Sequence, residues 1–140
     1  MLYIGIGRHA AERLSAEGYK VYCGVRKEKD KESILAMQNP NLIPLVFDVT
    51  KHETNVQAVH TIAQGMASSK LPFVAVVNNA GISRRMVAEF HDMEDIHRVF
   101  DTNVFGLMDL TQLTLPLLRE SKGRVVMISS VNGKIGKTAN

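Results

Sequence analysis

The apolar run Phe73-Val74-Ala75-Val76-Val77 passes straight into Asn78-Asn79-Ala80-Gly81, and this junction constrains the fold more than any other stretch of the chain. An apolar run this short, bounded by turn formers, suits a buried strand of a parallel sheet. In open α/β sheets, ligands bind just beyond the carboxyl ends of such strands. The Asn-Asn-Ala-Gly segment therefore stands where a ligand would be met.

The flanking sequence repeats the alternation this requires. Arg8 to Glu17 reads as a helix with Ala10, Ala11 and Leu14 on one face, ended by Gly18. Val21 to Val25 reads as a strand, and residues 30–37 as a helix with Ile34, Leu35 and Met37 facing inward. After the turn Asn39-Pro40-Asn41 comes a strand, Leu42 to Phe47. Thr54 to Ser68 has a helical period in Val56, Val59, Ile62, Ala63 and Met66. Beyond the Asn-Asn-Ala-Gly strand, Met93 to about Glu120 forms a long helix. Its expected buried stripe is Ile96, Val99, Phe100, Val104, Leu107, Leu110, Leu113 and Leu117, with a bend at Pro116. Gly123 ends it, Arg124 to Ile128 is the last strand, and Ser129 to Asn140 is small, polar and basic. Helices alternating with strands imply a parallel sheet covered on both faces, a Rossmann-like doubly wound α/β fold. Residues 1–140 read as one partial nucleotide-binding domain of this kind.

Composition removes several classes. A chain of 140 residues can enclose a core. No apolar stretch approaches the roughly 18 residues of a membrane span, and no signal peptide is visible. The one cysteine, Cys23, forms no internal disulfide and suits a reducing compartment, so a cytoplasmic location is expected. Placed in a strand, it reads as a buried, inert thiol. The net charge of +3 is mild and mixed in sign, without an aromatic-interleaved basic stripe, which argues against nucleic acid. His91 and His97, six residues apart, do not align on a helix face, and no metal site is expected.

Further motifs accompany the Asn-Asn-Ala-Gly segment in a fixed order. Gly5-Ile6-Gly7 opens the first helix, where a tight turn and free backbone amides suit a pyrophosphate, or simply a turn. Arg26 follows the Val21–Val25 strand, Asp48-Val49 follows the next, Asn103 lies inside the long helix, and Ser129-Ser130 ends the last strand. Together these resemble the short-chain dehydrogenase/reductase family, over nearly the whole length from Ile4 to Lys137. The likeness is weakly closer to the retinol, hydroxysteroid and hydroxybutyrate dehydrogenases within it.

The resemblance implies roles. Family members move a hydride between a nicotinamide and a carbonyl or alcohol carbon, so a small carbonyl or alcohol substrate is implied. Gly5, Ile6 and Gly7 match the end of the phosphate-binding turn. Arg26 matches an arginine that takes the 2′-phosphate of NADP, with no acid at Val25, Arg26 or Lys27 to hold the ribose hydroxyls of NAD, so NADP(H) is favoured over NAD(H). Asp48 and Val49 would meet the adenine, and Asn78, Ala80 and Gly81 the adenosine ribose. Each also has a plainer reading: Arg26 as a surface charge, Asp48 as a turn cap, Asn78 as a tie between neighbouring strands. Asn103 and Ser130 match two catalytic positions. Asn103 would anchor a water in a proton relay, and Ser130 would hydrogen-bond the substrate oxygen.

Two parts of the family pattern are missing. The first glycine of the turn falls on Met1, so the first strand would lie before the chain begins. The general acid, Tyr with Lys four residues later, would come about a dozen residues after Ser130, beyond Asn140. Four residues after Tyr3, Tyr19 and Tyr22 stand Gly7, Cys23 and Arg26, so no tyrosine present replaces it. The expectation is a chain truncated at both ends and inactive alone. The alternative is a truncated, non-catalytic protein that binds a nucleotide or a partner. A Rossmann domain of another type, such as a methyltransferase, would not need Asn103 and Ser130 where they are. A full-length form would oligomerise through the long helix.

Overall fold

A computed structural model describes residues 5–84 and 87–131. Gly5 takes φ 61° and ψ −126°, a conformation open to glycine, and from it α1 runs over Ile6–Ala16. Gly18, at φ 89°, turns the chain into β1, Val21–Val25. Helix α2 spans Glu28–Leu35 and leads to β2, Leu42–Val46. Helix α3, His52–Ser69, precedes β3, Ala75–Asn78. After a 3-10 turn at Ala88–Phe90 comes α4, Met93–Phe100, capped by the Asp92 carboxylate, which accepts from the Glu94 N–H. A π-helical segment, Asp101–Phe105, joins α4 to α5, Gly106–Ser121, and β4, Arg124–Met127, follows.

The strands form two parallel pairs among the described residues. β1 lies beside β2 with Val21 opposite Leu42 and Val25 opposite Val46. β3 lies beside β4 with Ala75 opposite Arg124 and Asn78 opposite Met127. The first strand expected ahead of Gly5 falls outside the described residues, as does the basic tail past Val131. Helices α1 and α2 cover the first pair, and Ala11, Cys23, Val25, Ile34 and Leu42 make its core. Helix α5 packs on β3 and against α3, burying Val76, Ala58, Ile62, Leu107, Leu110 and Leu118. Tyr22 of β1 reaches Gly65 of α3: a Cβ on Gly65 would collide with the Tyr22 hydroxyl, so this glycine admits the ring.

Several expected faces are turned. In α2 only Ile34 is buried; Leu35 and Met37 are exposed, because the helix stops at Leu35 and Gln38 takes a left-handed turn. In α3 the buried residues are Asn55, Ala58 and Ile62, while Val56 is exposed. The stripe keeps Ile62, with Val59, Ala63 and Met66 half-buried, and turns toward Asn55 and Ala58 at its N-terminal end. It includes Asn55 and Gly65, which hydrophobicity does not mark. In the long helix Phe100 and Val104 are exposed, and Thr102, Gly106, Leu107, Leu110, Thr114 and Leu118 are buried. The π segment puts an extra residue into one turn, so one 3.6-residue stripe cannot run through both α4 and α5. Pro116 is accommodated inside α5. The helix is ended by Lys122, at φ 54°, rather than by Gly123. Gly123 is needed for closeness: a Cβ there would lie 2.8 Å from the Val74 carbonyl oxygen.

Candidate functional site

Residues at the carboxyl ends of β1, β2 and β3 converge on one cleft. Its walls are Gly24 and Val25 of β1 with Arg26 just beyond it, Phe47, Asp48 and Val49 beyond β2, Ala80 beyond β3, and Thr102 of the π segment. Ligands bind in α/β folds at this end of the strands, where the chain crosses between elements. Arg26, Asp48, Val49 and Ala80 had been singled out from sequence. Gly24, Val25, Phe47 and Thr102 had not. Thr102 offered the best signal, a polar residue next to Asn103 inside an apolar stripe.

Arg26 is exposed at the start of the turn into α2 and makes no ion pair with any described residue. The Asp48 carboxylate accepts through Oδ1 from the Thr50 N–H at 3.0 Å and the Thr50 hydroxyl at 2.9 Å. The Thr54 hydroxyl donates to the Asp48 carbonyl at 2.8 Å. Asp48 thus caps its own turn with one oxygen, and its second oxygen takes no hydrogen bond from the described residues.

Gly5, Ile6 and Gly7 form the N-terminus of α1 and are not among the cleft-lining residues. Gly5 is the N-cap residue, Ile6 is exposed and Gly7 is buried. An eleven-residue helix turns the favourable end of its dipole toward this terminus.

Asn78 turns away from the cleft. It is 1% exposed, and its amide donates to the Thr111 hydroxyl at 2.8 Å and meets the Met127 sulfur at 3.1 Å. It ties β3 to β4 and α5. Asn103 faces the loop after Gly81. Its Nδ2 donates to the Ile82 carbonyl and its Oδ1 accepts from the Ile82 N–H, both at 2.8 Å. A Cβ on Gly81 would lie 3.6 Å from that Oδ1. Arg84 adds a second tether, with Nε 3.3 Å from Asp95 of α4. The helix around Asn103 is distorted, and the Gly106 N–H bonds the Asp101 carbonyl five residues back. Returning from that ladder to the ordinary one leaves one carbonyl without an intrahelical donor. Ser129 and Ser130 are exposed and follow the bond from the Ile128 N–H to the Asn78 carbonyl, 2.9 Å, which fixes their strand beside β3.

A wider groove of about 510 Å³ lies between the C-terminal ends of α3 and α5, lined by Met66, Leu71, Phe73 and Leu117 among others. It contains none of the candidate cofactor-binding or catalytic residues. Among the described residues, no group of His, Cys, Asp and Glu is placed to hold a metal, and no helix is long and apolar enough to cross a membrane.

The short chain dehydrogenase profile matches residues 3–140. Retinol dehydrogenase 16 of Rattus norvegicus is 32% identical over 132 residues, which cover 94% of this chain and 41% of that protein. The mitochondrial D-beta-hydroxybutyrate dehydrogenase of Bos taurus is 33% identical over 139 residues, covering 96% and 40%. Among solved structures, NADPH-bound carbonyl reductase from chicken fatty liver superposes with a TM-score of 0.82 at 26% identity, covering 92% of this chain and 56% of that one. The chain thus spans about two fifths of the length of the curated relatives it matches.

Proposed function

This chain belongs to the short-chain dehydrogenase family, and we propose that it is the nucleotide-binding part of an NADP(H)-dependent oxidoreductase acting on a carbonyl or alcohol carbon. The observation that carries the reading is the cleft itself. Strand ends from both parallel pairs converge on it, with a free guanidinium at its rim and apolar walls from Val25, Phe47, Val49 and Ala80.

The residues present fit such a cofactor. The apolar walls suit an adenine ring, and the unengaged Asp48 oxygen suits its amino group. A planar guanidinium without an ion-pair partner among the described residues suits a phosphate dianion through paired hydrogen bonds. The N-terminus of α1, with Gly5, Ile6 and Gly7, would hold the pyrophosphate. When bound, the nicotinamide supplies or accepts the hydride. The protein's part is to orient and to handle charge. Ser130 would donate a hydrogen bond to the substrate oxygen. Asn103 holds the Gly81-Ile82 loop that follows the ribose-facing segment, and the carbonyl released by the π segment would take the relay water. The 140-residue chain alone carries no Tyr-x-x-x-Lys, and we expect no turnover from it. A second copy would pack along the long helix, where Phe100, Phe105 and Met108 are each more than half exposed.

A binding comparison tests the cofactor assignment. NADPH should bind more tightly than NADH, and Arg26→Ala should erase most of that difference, about a tenfold change, equivalent to one charge-assisted hydrogen bond. A preference unchanged in Arg26→Ala would refute the assignment.

A further inference from the structure

The segment that carries Asp48 and Val49 is gripped from α3 and α5 by residues to which the cofactor reading gives no role. Asn55, in the first turn of α3 and 0% exposed, donates Nδ2 to the Val49 carbonyl at 2.9 Å and to Asp109 Oδ2 at 2.7 Å. The other Asp109 oxygen lies 2.8 Å from His52 Nδ1. Asp109 stands one turn after Gly106 on α5, and Gly106 touches the same carbonyl, since a Cβ there would be 2.6 Å from the Val49 oxygen. Val49 is thereby held between an amide and a helix backbone.

Packing alone does not explain this choice of residues. Leucine at position 55 would join α3 to α5 without burying polar atoms. Asn55 instead buries an amide whose Oδ1 has no hydrogen-bond partner among the described residues, an expensive arrangement. It is paired with a carboxylate whose side chain is only 29% exposed, placed beside the N-terminal turn of an 18-residue helix that favours negative charge. What these polar groups achieve, and apolar ones cannot, is directional control of the Val49 carbonyl. The peptide plane that fixes this carbonyl also fixes the direction of the neighbouring backbone and of the Asp48 turn.

We propose that Asp109 is a positioning residue for the adenine site: acting through Asn55, it orients the Asp48–Val49 segment that the base meets. The inference rests on the reading of Asp48 and Val49 as adenine contacts. Asp109 itself touches no ligand.

The test measures, on the 140-residue chain, the affinities for NADPH, NADH and adenosine 2′,5′-bisphosphate, well below each variant's melting temperature. Asp109→Leu, which cannot accept from Asn55, should weaken all three by about tenfold, because all three share the adenine end. Asp109→Asn keeps a carbonyl oxygen for the Asn55 amide and should restore affinity to within about threefold. Should the leucine variant not fold, Asp109→Ser, too short to reach Asn55, is read in the same way. Unchanged affinities in Asp109→Leu with only a lowered melting temperature would overturn the proposal and leave the cofactor reading standing. An unsubstituted chain that binds none of the three ligands would overturn the cofactor reading, and this proposal with it.

Discussion

Cys23 lies at the centre of the core beneath α1 and α2, with no exposed surface. Its thiol approaches the Val21 carbonyl at 3.6 Å, and burial raises its pKa to about 11. The thiolate is the reactive form, so this cysteine is chemically quiet while the chain is folded. Below pH 9 the thiol is protonated in folded and unfolded chains alike. Between pH 9 and 11 the unfolded chain releases the proton and the folded one keeps it, so stability falls as pH rises through that window. Urea titrations at pH 8 and pH 10.5 should show it, with Cys23→Ala flatter across the interval. An equal loss in Cys23→Ala would place the effect elsewhere. Glycine has a similarly sharp meaning at position 106, where a backbone carbonyl occupies the space a side chain would need. Sequence marked Cys23 as buried and inert. It could not mark Asn55, Gly65 or Asp109, whose importance depends on partners 54, 43 and 54 residues away in the chain, such as the Asn55–Asp109 hydrogen bond and the Tyr22–Gly65 contact.

The π segment is the element that most shapes the site. It breaks the long helix into α4 and α5, turns Thr102 into the cleft and Asn103 onto the Gly81-Ile82 loop, and rotates Phe100 outward. Removing the Asn103 amide should loosen that loop. Asn103→Leu is expected to cost about 1–3 kcal/mol, the sum of two hydrogen bonds to backbone. Asn103→Asp should lose less, since a carboxylate still accepts from the Ile82 N–H while giving up the bond to the Ile82 carbonyl. Urea unfolding measures both, and equal losses would mean that the amide bridge is not what holds the loop. The existence and order of helices and strands were legible because each has its own period and its own stop signal. The phases of α3 and of the long helix were legible only in part: Ile62, Leu107 and Leu110 are buried as expected, while Val56, Phe100 and Val104 are exposed. Hydropathy assigns a buried stripe to apolar residues, whereas these helices bury Asn55, Thr102, Thr114 and Gly106 where another chain segment comes close.

As a whole molecule the described chain is two parallel strand pairs bound together through helices, and its fold matches Rossmann-type enzymes of greater length. Much apolar surface is left open: every residue of β4 is exposed, as are Phe90, Phe100 and Phe105. Surface of this extent favours association. Purified 140-residue protein should sediment above its 15.5 kDa monomer mass and show no NADPH-dependent reduction of a test ketone. Appreciable turnover would contradict the need for the Tyr-x-x-x-Lys pair, and a monomer would mean that the open apolar surface does not drive association of this chain. Sequence by itself determined the family, the alternation of elements and the residues after each strand, including Arg26, Asp48, Val49 and Ala80. These follow from local rules, since a short apolar run, a turn and a helix start are each specified by neighbours in the chain. Tertiary structure alone decided which of them share a cleft, that Asn78 and Asn103 spend their amides on strand and loop partners, and that Asp109 reaches Val49 through Asn55. Those outcomes depend on how closely two backbones approach, and the glycines and buried amides that permit or direct the approach carry no periodic signal.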